Sequence, residues 1–131
     1  MILVDSSVWV DFFNEVDGPK TEWLISNIDD PAIALCDLVL CEVLRGFERP
    51  AEFTAARKAL LEFPVLVTGG TEMAIAAAEQ YQALRQRGIT IRKLVDCLIA
   101  SYCIREGHSL LHNDRDFDPF EKHLGLRVIH P

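Results

Sequence analysis

No apolar run in this 131-residue chain approaches the roughly 20 residues that a membrane-spanning helix needs. The amino terminus, Met-Ile-Leu-Val-Asp, lacks the basic start and long apolar region of a secretory signal, which predicts a cytoplasmic protein. CxxC pairs are also missing. The four cysteines (Cys36, Cys41, Cys97, Cys103) stand singly in apolar segments, so small buried thiols in a reducing compartment are expected rather than a zinc site. Without a linker, repeat or low-complexity segment, residues 1–131 are expected to form one domain, and 50% hydrophobic content suffices for one core. Positive charge is in deficit. A net charge of −7 argues against a simple basic glove for nucleic acid. It does not exclude nucleic acid altogether, because acids gathered around divalent cations present a cation to the substrate. Local basic residues such as Arg45, Arg49, Arg57 and Lys58 can also supply contacts.

What the chain does have is a regular alternation of short apolar runs and helical patterns. Strands are expected at 2–4, 32–35, 65–67, 109–112 and 126–129, with 89–91 ambiguous between loop and strand. A helix follows Asp5-Ser6-Ser7, carrying Val8, Trp9, Phe12 and Phe13 at helical spacing. Others start at Pro19 and Pro50, where proline suits the first helical position. Asp37 is placed to cap a helix over 38–47, and Thr71 a long Ala-rich helix that stops at Gly88. The last long helix covers 94–106. This order predicts βαβ units: an α/β fold with a mostly parallel central sheet and helices on both faces.

The stretch Ser109-Leu110-Leu111-His112-Asn113-Asp114-Arg115-Asp116-Phe117-Asp118 puts three carboxylates at alternate positions where a buried strand runs out. Ligands of parallel sheets bind at that end of the strands. Asp5 directly follows the first strand. Glu42 lies among apolar neighbours in the helix after the second, and Asp96 near the start of its own helix. Taken singly, Glu42 and Asp96 have equally ordinary readings, as a solvent-face acid and a helix-dipole partner. Together, Asp5, Glu42, Asp96 and Asp114 come from four βα segments. Two unit charges about 4 Å apart repel by roughly 4 kcal/mol near a protein surface. A bound divalent cation would turn that repulsion into ligation, and oxygen-only ligands favour Mg2+ or Mn2+. Such ions suit phosphodiester hydrolysis.

Four segments carry a resemblance: Val4-Asp5-Ser6-Ser7-Val8-Trp9-Val10-Asp11, Glu42-Val43-Leu44-Arg45-Gly46, Leu94-Val95-Asp96-Cys97-Leu98-Ile99-Ala100 and Leu111-His112-Asn113-Asp114-Arg115-Asp116-Phe117. The sequence resembles the PIN-domain ribonucleases, most closely the toxins of VapBC-type toxin–antitoxin pairs. The resemblance implies a three-layer α/β/α sandwich and Mg2+- or Mn2+-dependent endoribonuclease activity. It also implies a homodimer, with a small DNA-binding VapB-like antitoxin as partner. Asp5, Glu42, Asp96 and Asp114 match the acidic quartet, Asp116 an additional acidic position, and Ser6 or Ser7 a small hydroxyl residue near the metal. His112 departs from the pattern, since many relatives carry Thr or Ser there. An orienting hydroxyl is thus absent at that position.

Arg92 and Lys93, one helical turn before Asp96, either contact phosphate or face water, with solvent the favoured expectation, and Arg45 is expected to neutralise Glu42 or meet substrate. Arg115 should point away from its acidic neighbours by alternation. His108, His123 and His130 read as surface groups, Asp11 and Asp118 as caps or solvent-facing acids. Trp9, Phe12 and Phe13 read as core or dimer packing. A phosphoacceptor receiver domain would need an acidic doublet after the first strand, and an Asp-nucleophile phosphatase would need Asp-x-Asp. Asp5-Ser6-Ser7 supplies neither. A housekeeping RNA-processing nuclease and a non-catalytic partner-binding domain remain as alternatives.

Overall fold

The computed structural model describes residues 1–131. Five strands form one parallel sheet: β1 (Ile2–Val4), β2 (Ile33–Cys36), β3 (Val65–Leu66), β4 (Ser109–Leu111) and β5 (Arg127–Val128), in the order β3-β2-β1-β4-β5. The expected mostly parallel sheet is parallel throughout. Every residue of β2 is buried, as in a strand covered on both faces.

Seven helices surround it: α1 (Ser6–Phe13), α2 (Pro19–Ser26), α3 (Asp37–Leu44), α4 (Pro50–Leu60), α5 (Thr71–Gln86), α6 (Leu94–Glu106) and α7 (Asp118–Leu124). α1 packs on α2 and α3, and α3 on α4. α5 packs on α6 and α7. The chain moves outward from β1 through β2 to β3, then crosses back to β4. Right-handed crossovers in opposite directions place these two helix groups on opposite faces. Beyond β1 and β4, where the winding reverses, lies the switch-point crevice of an open parallel sheet.

Leu3, Val4, Leu110 and Leu111 are all fully buried, each pairing across β1 and β4 in the register Leu3 with Leu110 and Val4 with Leu111. Burying such a side chain is worth about 1.5–3 kcal/mol, so the register is firmly held. It fixes where the chain emerges at Asp5 and His112. Trp9, Phe12, Phe13, Phe47 and Phe63 form an aromatic cluster of edge-to-face and tilted contacts, which accounts for the first-helix aromatics as packing.

Several local expectations are corrected. Asp37 is the first residue of α3 and not its cap. Its Oδ1 accepts the Thr68 hydroxyl at 2.7 Å and N–H at 3.2 Å, clasping the end of β3 to α3. That turn takes Val67 out of the sheet, where it is 75% exposed, so β3 stops at Leu66. Gly70, at φ +111°, precedes α5 in the capping position, and Thr71 is already helical. Residues 89–91 form no strand, and α3 stops at Leu44. Three cysteines are buried as expected, but Cys41 is exposed because it falls on the outer side of α3.

Candidate metal centre

Asp5 ends β1 and begins α1. Its Oδ2 accepts the Ser7 N–H at 3.0 Å and the Ser7 hydroxyl at 2.6 Å, the usual task of an aspartate before a helix. The Ser7 oxygen in turn accepts the Asn113 N–H at 2.9 Å. One hydroxyl thereby ties the exit of β1 to the loop after β4. The Ser6 hydroxyl donates to Glu42 Oε1 at 3.2 Å and aims that half-buried carboxylate at the same place.

Asp96 stands in the first turn of α6 and is only 4% exposed. Asp114 follows β4 and caps a 3-10 turn, Arg115–Phe117, by accepting the Asp116 N–H at 2.9 Å. Asp5, Glu42, Asp96 and Asp114 line one open cleft of about 460 Å³, together with Ser6, Ser7 and Arg45. One oxygen each from Asp96, Asp114 and Asp116 lies within 4.8 Å of the others. The acids collected from four segments of sequence therefore converge, with the tightest group at Asp96, Asp114 and Asp116.

Electrostatic strain is concentrated on the buried members. Burial, with Asp5 next, pushes the Asp96 carboxyl up to about 7. Burial also raises Asp5, against the pull of Ser7, and it raises Glu42 with Asp5 adding to the effect. At Asp114 burial works upward too, but the Asp116 N–H and the Lys93 ammonium outweigh it and the carboxyl ends below its ordinary value. Asp5 Oδ1 and Asp96 Oδ2 are buried with no hydrogen-bond partner. Buried carboxylate oxygens without donors are expensive, and these two belong to acids that line one cleft. An all-oxygen donor set with orphaned charge fits a hard divalent cation.

Arg92 and Lys93 do not simply face solvent. Lys93 lies at the mouth of α6 and donates to Asp114 Oδ2 at 3.0 Å, while Arg92 donates to Asp116 Oδ1 at 3.0 Å. Arg115 does turn away from the cleft, though the cause is the 3-10 turn and not strand alternation. His112 lies outside the cleft lining, buried and tilted against Phe117, with its Nδ1 accepting the Asp114 N–H at 3.2 Å. The orienting hydroxyl missing at 112 is supplied from α1 by Ser7. Asp11 and Asn113 also line the cleft, joined by a 3.1 Å hydrogen bond. Sequence reasoning missed Asn113 and read Asp11 as a cap or a solvent-facing acid, because their pairing spans 102 residues of sequence. A larger cleft of about 670 Å³, walled by Arg115, Asp118 and Lys122, gathers no buried acids, so chemistry rather than volume identifies the site.

A family model described as PIN domain matches residues 2–122. A VapC ribonuclease of Mycobacterium bovis is 34% identical over 131 residues, spanning 98% of this chain and 97% of its own. The ribonuclease VapC11 of Mycobacterium tuberculosis matches with the same identity and coverage. Among solved structures, VapBC2 of Rickettsia felis, bound to a DNA fragment from its promoter, is similar with a TM-score of 0.78. Its identity is 21% and 98% of each chain is covered. VapC20 of M. tuberculosis, a sarcin–ricin-loop-cleaving toxin, is similar at 0.66, with 20% identity over 90% of this chain and 93% of that one. At such identities these two likenesses speak for the fold.

Proposed function

Because the chain belongs to the PIN-domain family and, within it, to the VapC ribonucleases, we propose that it is an endoribonuclease toxin hydrolysing RNA phosphodiester bonds. The observation that carries this reading is the pair of orphaned oxygens on Asp5 and Asp96 in a cleft shared with Glu42 and Asp114. Residues 1–131 act as a single PIN domain.

Asp5, Glu42, Asp96, Asp114 and Asp116 would hold Mg2+ or Mn2+. When bound, such an ion supplies a Lewis acid for phosphate oxygens and makes a water more acidic. The rest is done by the chain. Asp96, with its proton affinity near neutrality, gives up that proton to accept a cation. Ser6 and Ser7 keep Glu42 and Asp5 oriented. Lys93 and Arg92, lying against Asp114 and Asp116, are close enough to the acids to meet a phosphate once those carboxylates engage a cation. Arg45 lines the same cleft and can bind the scissile strand.

A VapB-like antitoxin is the expected protein partner, since the structural neighbours are VapBC assemblies, and the active form is a homodimer. No helix of the chain is long and apolar enough to cross a membrane.

The purified protein should cut single-stranded RNA with Mg2+ or Mn2+ and stop on chelation. Asp5→Asn and Asp96→Asn should each lose activity while folding normally. Near-normal cleavage by either variant would refute the site. Growth arrest on expression, relieved by the small protein encoded beside it, would support the toxin role over a housekeeping one.

A further inference from the structure

We propose that the RNA strand leaves the acidic cleft along a groove that passes Asn113 and Arg115 and ends at Lys122 and His123. Such a path presupposes the nuclease activity proposed above and adds the surface that holds the substrate's flank.

Three depressions adjoin one another on this side of the molecule. Asn113 and Asp114 line both the acidic cleft and a middle one of about 370 Å³. Arg115 and Asp118 line both the middle cleft and the outer one of about 670 Å³, whose far wall carries Lys122 and His123. Asn113, Arg115 and Asp118 are consecutive steps along the chain leaving the sheet, so the groove follows the β4 exit away from the catalytic acids.

Its charge is balanced where the whole molecule is acidic, with Lys20, Arg115 and Lys122 set against Asp114, Asp118 and Glu121. The chain has 20 acids to 13 lysines and arginines, yet Lys20, Arg115 and Lys122, all lining this groove, pair with no carboxylate. Lys20 donates instead to the His112 carbonyl at 2.6 Å, which anchors its ammonium beside the site. Of the groove's own acids, Asp114 is paired with Lys93 at 3.0 Å and Glu121 is hydrogen-bonded to His130 at 2.7 Å, leaving Asp118 without a partner. Desolvation lowers the proton affinity of the His123 ring, and Arg87 and Lys122, lying near it, add to that effect.

The lining contains one hydrophobic residue, Ile89, which disfavours an apolar helix as occupant. A guanidinium, an ammonium and an imidazole suit a polyanion with flat faces. Unstacked bases lie well on Arg and His planes, so the fit is to single-stranded RNA. Of the basic residues suggested by sequence, Arg45 lines the acidic cleft, whereas Arg49, Arg57 and Lys58 line none of the three.

The test uses Asp96→Asn protein, expected to be silent in cleavage, with a fluorescein-labelled mixed-sequence RNA of about 12 nucleotides and a labelled tetranucleotide, which bracket the footprint of single-strand sites. Adding Arg115→Ala and Lys122→Ala should weaken long-RNA binding at least tenfold and shrink the preference for long over short. The salt slope should fall by about 1.4, at about 0.7 per phosphate contact on a single strand. Arg57→Ala with Lys58→Ala should keep the parental slope. Equal affinity and slope in the groove variant, loss in the α4 variant instead, or no affinity of the parent for the long RNA would each overturn the groove. Wild-type cleavage is measured separately, and its absence would strike the nuclease reading itself.

Discussion

His112 Nδ1 accepts the backbone N–H of Asp114 at 3.2 Å, so a buried ring holds the peptide that presents a cleft carboxylate. Acceptance at Nδ1 places the ring hydrogen on Nε2. Burial, followed by the Lys20 ammonium, lowers the ring's proton affinity and keeps it neutral, as an acceptor must be. His112→Ala should orphan the Asp114 N–H and weaken Mn2+ binding about 10–100-fold, the usual cost of losing a group that orients a ligand. Asn can place its side-chain oxygen near the former Nδ1, so His112→Asn should recover much of the affinity, whereas His112→Ala should not. Calorimetric Mn2+ titration of both variants checks this.

Asp96 gives the metal-free protein a definite pH dependence. Its folded proton affinity is raised from 3.8 to about 7, so the folded state keeps a proton that the unfolded chain has released. The resulting stability is fully present below 3.8, declines as pH climbs and is gone above about 7. A tenfold change in proton affinity is worth about 1.4 kcal/mol, so the decline amounts to a few kcal/mol. Asp96→Asn should remove most of it: at pH 8 in EDTA the variant should melt higher than wild type, with the gap closing toward pH 4. Equal melting curves at pH 8 would contradict the burial argument.

Cation binding should be coupled to that same proton. Below about 7 the incoming ion displaces it. Mg2+ affinity should therefore rise with pH up to about neutrality and level off above. Calorimetry in buffers of different ionisation enthalpy should report proton release at pH 6 and almost none at pH 8.5. Chelation should abolish RNA cleavage and restore the metal-free stability curve.

Ser7 is the hinge pin between two strand exits, donating to Asp5 and accepting from Asn113. Ser7→Ala should cost about 1–3 kcal/mol by taking the hydroxyl donor from the buried Asp5 carboxylate, measured by urea unfolding. It should also lower kcat, because Asp5 and the Asp114 loop lose their common tie. Ser7→Thr keeps the hydroxyl and should recover both. Ser6→Ala, whose only recorded bond is to Glu42, should leave stability within about 1 kcal/mol.

Much of this protein was legible from local pattern alone. Proline at the starts of α2 and α4, Gly88 and Gly107 after helices, and the alternation of apolar runs with helical spacing act over a few residues, and each held within one or two positions. Asp5, Asp96 and Asp114 could be nominated because each follows a strand or opens a helix, and Glu42 because it lies inside the helix that follows β2; βα order sends the strand exits and helix starts to one end of a parallel sheet. Tertiary structure decided which polar groups actually touch. Lys93 meets Asp114 across 21 residues, Arg92 meets Asp116 across 24, and Ser7 meets Asn113 across 106. No periodicity encodes such pairs. They exist because β1 lies beside β4 in a register fixed by buried leucines, and because α6 docks its first turn at their common end. Sequence thus determined the kinds of groups at the site, and packing determined their distances, which is where hydrogen bonding and charge acquire their strength.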